Sequence, residues 1–74
     1  MKLGKVTGLV TMTKRAELLE QERILLVEME GNSVAALDRT GAQTGDQVLV
    51  VMSHAAGRYS IAAPSDAVVV AVVE

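Results

Sequence analysis

The sequence has very few of the residues that build metal, redox or base-stacking sites. It contains no cysteine, no phenylalanine and no tryptophan, and it has only one tyrosine and one histidine. Without cysteine the chain can form neither disulfides nor thiolate zinc sites, and a single histidine gives little basis for another transition-metal site. The shortage of aromatic rings removes the platforms on which single-stranded nucleic acids stack their bases. We therefore expect no metal, no cofactor and no nucleic-acid partner.

The charge balance is slightly acidic, with seven basic and nine acidic residues and a formal net charge of −2. No basic stripe marks a surface for nucleic acid or for an anionic membrane. The longest apolar run, Ala67–Val73, is far shorter than the ~20 residues that span a bilayer, and the N-terminus lacks the apolar core of a signal peptide. The expectation is a soluble cytoplasmic protein with no membrane partner.

Valine and alanine dominate the hydrophobic half of the sequence, and valine favours strands. The 74 residues are expected to form a single domain, 1–74. A chain of this size buries only ~60–65% of the surface that its unfolded form exposes, so a monomer is marginally stable. Because the chain cannot form disulfides and has little basis for a metal site, we expect oligomerisation to supply the missing stability.

The apolar pattern predicts five short strands separated by loops and turns. The predicted strands are Lys2–Thr13, Arg23–Glu30, Val34–Asp38, Gln47–Met52 and Asp66–Glu74. Between them we predict a charged hairpin loop at Lys14–Glu22, a tight turn at Gly31–Asn32 and one helical turn over Ser53–Arg58. This pattern predicts an all-β fold, a small antiparallel five-stranded barrel of the OB-like type with one short helical turn.

Two glycines are expected to help the first strand coil around a small barrel. Gly4 and Gly8 share the Val6 face of the predicted strand, and glycine in a strand interior is unfavourable unless the strand bends or is closely approached.

The predicted strands around 24–29, 48–52 and 67–73 are apolar on both faces. In an antiparallel barrel one face normally meets water. The outer faces of these strands are therefore expected to meet other subunits, which indicates an assembly rather than an isolated catalyst.

Two groups of polar residues invite a catalytic interpretation, and a local structural role explains both better. Ser53, His54 and Asp46 are near in sequence, but a triad is defined by geometry, and Ser53 is well placed to cap the helical turn. Asp38, Asp46 and Asp66 each stand where a strand meets a loop, where aspartate favours hydrogen bonds to the local backbone. We predict no catalytic residue.

The loop Gly41–Gly45 (Gly41, Ala42, Gln43, Thr44, Gly45) is the most distinctive local feature. Its glycines suggest phosphate binding, but the Lys-Ser/Thr that follows a phosphate-binding loop is missing, and no long helix begins there.

Three blocks, in order, resemble the pentameric vertex proteins of bacterial microcompartments, including carboxysomes. They are Met1–Val10 (MKLGKVTGLV), Ala36–Ala42 (ALDRTGA) with Gly45–Val51 (GDQVLVV), and Pro64–Glu74 (PSDAVVVAVVE). Each block alone is weakly specific, but together they span nearly the whole chain.

The resemblance implies an OB-like barrel assembled as a cyclic homopentamer that caps the five-fold vertices of a polyhedral shell. Its expected partners are the hexameric shell proteins that tile the facets. It also implies that the Gly41–Gly45 loop lies near the five-fold axis, where Ala42, Gln43 and Thr44 would ring a narrow pore; a plain subunit contact is the alternative. The mixed charges of Lys14–Arg23 are expected to form a solvated loop or to face hexamer edges.

A different class of function stays open at this point. A free-standing OB-like barrel could bind a small ligand or single-stranded nucleic acid, for which a basic groove with aromatics would be the signature.

Overall fold

The computed structural model describes residues 1–52 and 66–74 and has an all-β architecture. Its strands are β1 (Lys2–Leu9), β2 (Arg23–Met29), β3 (Asn32–Asp38), β4 (Gln47–Met52) and β5 (Ala67–Val73), and one turn of 3₁₀ helix, Glu17–Leu19, lies between β1 and β2. The strands close into a barrel in the order β1-β2-β3-β5-β4. The predicted five-stranded barrel is thus confirmed, and the helical turn predicted over Ser53–Arg58 lies outside the described residues. No helix in the described ranges is long and apolar enough to cross a membrane.

The barrel is not wholly antiparallel, although the sequence predicted that it would be. Four strand pairs are antiparallel, but β3 and β5 run parallel, with Leu37 beside Val68 and Asp38 beside Val69. The reason is geometric: a closed ring with an odd number of strands cannot alternate direction throughout, so at least one pair must be parallel.

Small aliphatic side chains fill the barrel interior. The inner cluster is made of Val6, Leu25, Val27, Met29, Ala36, Ala42, Val48, Val50, Ala67 and Val69. A second cluster of Leu37, Val51 and Val68 lies against Leu19, Ile24 and Val70. Adjacent residues such as Val50 and Val51 are therefore both buried, which explains why β4 and β5 are apolar on both faces. Each such side chain contributes about 1.5–3 kcal/mol when fully buried.

The first strand is shorter than predicted and its two glycines have different surroundings. It ends at Leu9, and the Val10 N–H makes one further bond to the Ile24 carbonyl at 2.9 Å. A Cβ at Gly4 would come within 2.7 Å of Met29 Cγ and still closer to Val27, so glycine is required there by close approach. A register shift between Val6 and Gly8 places Gly8 opposite Leu26, and a Cβ at Gly8 would meet nothing within 4 Å. The expected shared face is therefore wrong for Gly8, because the bulge interrupts the alternation.

A two-residue turn joins β2 to β3. Glu30 and Gly31 have φ of 51° and 82°, the positive values that a type I′ hairpin turn needs at both central positions. The turn thus lies one residue earlier than the predicted Gly31–Asn32. In consequence β3 begins at Asn32 rather than at Val34.

Candidate functional site

The first half of the Gly41–Gly45 loop is organised by the carboxylate of Asp38, at the end of β3. Its Oδ1 accepts the backbone N–H of Thr40 at 2.9 Å and the Thr40 hydroxyl at 2.6 Å. Its Oδ2 accepts the backbone N–H groups of Gly41 and Ala42, each at 3.1 Å. One side chain therefore satisfies three successive backbone donors, as a helix cap does, but here it shapes a loop.

An arginine completes the surroundings of this carboxylate. Arg23 directly opposes Asp38 in the β2–β3 register, and its guanidinium donates to Oδ2. The Asp38 side chain is 0% exposed, whereas that of Arg23 is 34% exposed. Burial by itself raises the pKa of the Asp38 carboxyl, but the hydrogen bonds from Thr40, Arg23 and Ala42 outweigh burial and leave the pKa below its ordinary value.

The second half of the loop is fixed to β1 through backbone hydrogen bonds. The Gly45 N–H donates to the Val6 carbonyl at 2.8 Å, and the Val6 N–H donates to the Asp46 carbonyl at 2.9 Å. Asp46 also closes the loop on itself, since its Oδ2 accepts the Gln43 N–H at 2.8 Å. Gly41 and Gly45 have φ of 77° and 97°, a region that favours glycine.

The loop presents two side chains to solvent. Gln43 and Thr44 are exposed, whereas Ala42 is 1% exposed and belongs to the inner cluster. Of the three residues expected to ring a pore, Ala42 is thus held inside the subunit, which leaves Gln43 and Thr44 as the side chains available at the loop tip.

Two of the aspartates singled out in the sequence have local roles in the described ranges. The local backbone role predicted for Asp38 and Asp46 is confirmed by the bonds above, and Asp66 is exposed directly before β5. Residues 1–52 and 66–74 contain no group of three His, Asp or Glu side chains placed to hold a metal. Ser53 and His54 lie outside the described residues.

The charged segment before β2 is mostly exposed, and hydrogen bonds from Arg15 link its residues. Arg15 donates to the carbonyls of Leu19, Glu20 and Glu22 at 3.1–3.3 Å, which holds the 3₁₀ turn in place. Glu22, whose side chain is 7% exposed, accepts from Arg39 at 2.8 Å.

These paired charges were not identified as partners from the sequence, although one signal was present. The Glu30–Gly31 turn sets a hairpin register in which Arg23 opposes Asp38. The same register continued by one step would bring Glu22 opposite Arg39, and these two side chains form an ion pair. A correct turn assignment therefore predicts both pairs.

A family model and a known protein each match this chain over its full length. The family model described as "Ethanolamine utilisation protein EutN/carboxysome" matches residues 1–74. The bacterial microcompartment shell vertex protein EutN of Escherichia coli (strain K12) is 35% identical over 83 residues, covering 100% of this chain and 87% of that protein.

Two solved structures show the same barrel. The GrpN pentameric microcompartment shell protein from Rhodospirillum rubrum has a TM-score of 0.83 and 32% identity, with coverage of 100% of this chain and 95% of that one. CcmL of Nostoc sp. PCC 7120 has a TM-score of 0.85 and 31% identity, covering 99% and 88%.

Proposed function

This chain belongs to the EutN/CcmL family, and from that premise we propose that five copies of it form a ring that caps a five-fold vertex of a bacterial microcompartment shell. The observation that carries the proposal is the full-length likeness of the barrel to pentameric shell proteins. The protein acts as a structural component of the shell, in the bacterial cytoplasm, and carries out no catalysis.

The surface of the barrel supports assembly. Leu3, near the start of β1, is 56% exposed, and Leu26, within β2, is 38% exposed. A small barrel with apolar side chains on its outside gains stability when neighbouring subunits cover them.

A cyclic ring also suits a vertex on geometric grounds. A flat sheet of hexamers has no corner, and each corner of a closed polyhedron needs a plug with five-fold symmetry. In a cyclic oligomer every interface is the same head-to-tail contact, so one sequence supplies all five positions.

Hexameric shell proteins are the proposed partners at the rim of the ring. Their symmetry does not match that of five subunits, which favours a modest polar contact over a large apolar one. The charged segment Lys14–Arg23 fits such a contact because it lies outside the core strands and because Arg15 holds its last turn in place.

We place the Gly41–Gly45 loop near the five-fold axis. The Asp38 carboxylate and the two bonds to Val6 anchor both halves of the loop, on either side of its exposed tip. Rings of Gln43 and Thr44 would then give the axis a neutral, hydrogen-bonding lining.

Deletion of this chain from a cell that makes the cognate shell proteins tests the proposal. We expect sheets, tubes or malformed bodies with open corners, and cargo that external reagents reach more readily. Normal numbers of sealed polyhedra, in a cell with no second vertex protein, would contradict it.

The competing class of function has its own test. With a net charge of −2 and one aromatic residue, the chain should show no salt-sensitive binding to single-stranded DNA or RNA. Sub-micromolar binding at ~0.15 M salt would favour a ligand-binding barrel instead.

A further inference from the structure

An open cavity of about 360 Å³ lies where the chain leaves β1 and enters β2. Its volume is at the lower end of the ~300–1,000 Å³ range of small-ligand pockets. The side chains of Thr11, Arg15 and Arg23 form the polar part of its lining, together with the buried Glu22. The cavity contains none of the residues of the inner cluster and none of the Gly41–Gly45 loop, so it is separate from the features described above.

The two arginines of the cavity each have a part of the guanidinium that is not used within the subunit. A guanidinium carries five N–H donors, distributed over Nη1, Nη2 and Nε. Arg15 donates from Nη1 to three backbone carbonyls at 3.1–3.3 Å, and Arg23 donates from Nη1 to Asp38. In the described parts of the chain, neither arginine makes a hydrogen bond through Nε or Nη2. Each therefore keeps its Nε–Nη2 edge, whose parallel N–H groups match the two oxygens of a carboxylate.

The acidic groups beside these arginines already have partners. Glu22, the acidic residue of the lining, is 7% exposed and accepts from Arg39 at 2.8 Å. Asp38 accepts from Arg23 and from three backbone N–H groups. Arg15, Arg23 and Arg39 thus accompany two carboxylates, which gives this cluster a charge of +1 (3 − 2) in a chain whose net charge is −2. Three other charged residues of the connection are exposed and do not line the cavity: Lys14, Glu17 and Glu20.

Aliphatic side chains form the rest of the lining. Leu9 is 51% exposed, and Val10, Met12 and Ile24 are half-buried. An aliphatic chain in the cavity would remove apolar surface from water on both partners, whereas an inorganic anion would leave these side chains wet. The lining therefore favours an organic anion over phosphate or sulfate.

We propose that this cavity binds a small aliphatic carboxylate. The carboxylate lies on the unused guanidinium edges of Arg15 and Arg23, and the chain lies against Leu9, Met12 and Ile24. The site belongs to the single subunit, so the inference does not depend on the proposed pentamer. It adds a ligand to the proposed structural role and requires no catalysis.

Titration of the purified protein, in its native oligomeric state, with sodium hexanoate tests the proposal. The backbone amide signals of Thr11 and Met12 are followed by NMR at a constant ionic strength of ~0.15 M. We expect saturable shifts with a Kd in the millimolar range. Acetate has four fewer methylene groups to bury and should bind at least about tenfold more weakly, as should inorganic phosphate. Shifts that do not saturate, or equal affinity for all three anions, would overturn the site.

The role of the guanidinium edge is tested by Arg15→Lys, which keeps the charge and removes the planar pair of donors. The Kd for hexanoate should rise about tenfold. Lys14→Arg makes the reverse exchange at the neighbouring position, outside the lining, and should leave the Kd unchanged. A Kd that is unaffected by Arg15→Lys would contradict the proposed recognition.

A second pair of variants keeps the hydrogen bonds of Arg15 intact. Thr11→Glu places a carboxylate in the cavity, where it occupies the guanidinium edges and should abolish hexanoate binding. Thr13→Glu adds the same charge at an exposed position outside the lining, and it should change the Kd by less than about twofold. Equal losses in the two variants would show that the anion responds only to the overall charge, which would overturn the site.

The mass of every sample, measured in the same buffer, separates this inference from the proposed function. A monomer that binds hexanoate at Arg15 contradicts the ring and leaves the site standing. A pentamer that does not bind hexanoate overturns the site and leaves the ring standing.

Discussion

The buried carboxylate of Asp38 accepts the backbone N–H of Ala42, four residues further along the chain, at 3.1 Å. The same carboxylate accepts from Thr40, Gly41 and Arg23. The end of β3, the start of β2 and the loop at the proposed axis are thus joined at one side chain.

Removal of this carboxylate should destabilise the protein strongly. Asp38→Ala leaves three backbone N–H groups and the Arg23 guanidinium without their acceptor, and we expect a loss of about 3 kcal/mol in the free energy of unfolding. Urea denaturation at a fixed protomer concentration measures it, because assembly makes stability depend on concentration.

Two further variants serve as controls for Asp38→Ala. Asp38→Asn keeps one oxygen acceptor and should lose less than Asp38→Ala. Asp66→Ala removes an exposed aspartate beside β5 and should change stability by less than about 0.5 kcal/mol. Equal effects of Asp38→Ala and Asp66→Ala would show that the Asp38 bonds contribute nothing.

The Asp38 carboxyl should also make stability depend on acid pH. Its pKa in the folded protein is below the ordinary value of 3.8, so the unfolded chain binds a proton first as the pH falls. The resulting stabilisation is complete above the ordinary pKa and is lost as the pH drops through the lower folded value. Asp38→Asn should therefore flatten the fall in stability below pH ~4. A variant whose acid unfolding curve parallels the wild type would contradict this assignment.

The two glycines of β1 should respond oppositely to the same substitution. Gly4→Ala forces a methyl group against Met29 and Val27 and should cost about 1–3 kcal/mol. Gly8→Ala meets no atom within 4 Å and should be nearly neutral. Thermal unfolding of both variants measures the difference, and a Gly8→Ala loss as large as that of Gly4→Ala would show that the bulge is misplaced.

The sequence predicted best those features that depend on local pattern. The bounds of β4, Gln47–Met52, were predicted correctly because a glycine-bracketed loop precedes a continuous apolar run. The end of β1 was wrong because Val10 and Met12 continue the alternation after the strand has lost its partner. A bulge such as that between Val6 and Gly8 leaves no mark in the alternation.

Features that depend on distant partners were harder to predict. The parallel pairing of β3 with β5 follows from closure of the barrel and not from any residue of either strand. Local reasoning placed Asp38 and Asp46 correctly at loop ends. It could not foresee that Asp38 would be fully buried beside Arg23, because that requires the hairpin register. Ala42 was expected to line a pore, but its side chain is buried inside the subunit. A loop has no regular alternation of side chains, so the direction of the Ala42 side chain could not be predicted from the sequence.

The central claim, a five-membered ring, is tested most directly by the mass of the purified protein in solution. Native mass spectrometry or light scattering at micromolar protomer concentration should give one species of about 39 kDa, which is five copies of the 7.8 kDa chain. A monodisperse monomer of 7.8 kDa under the same conditions would contradict the account.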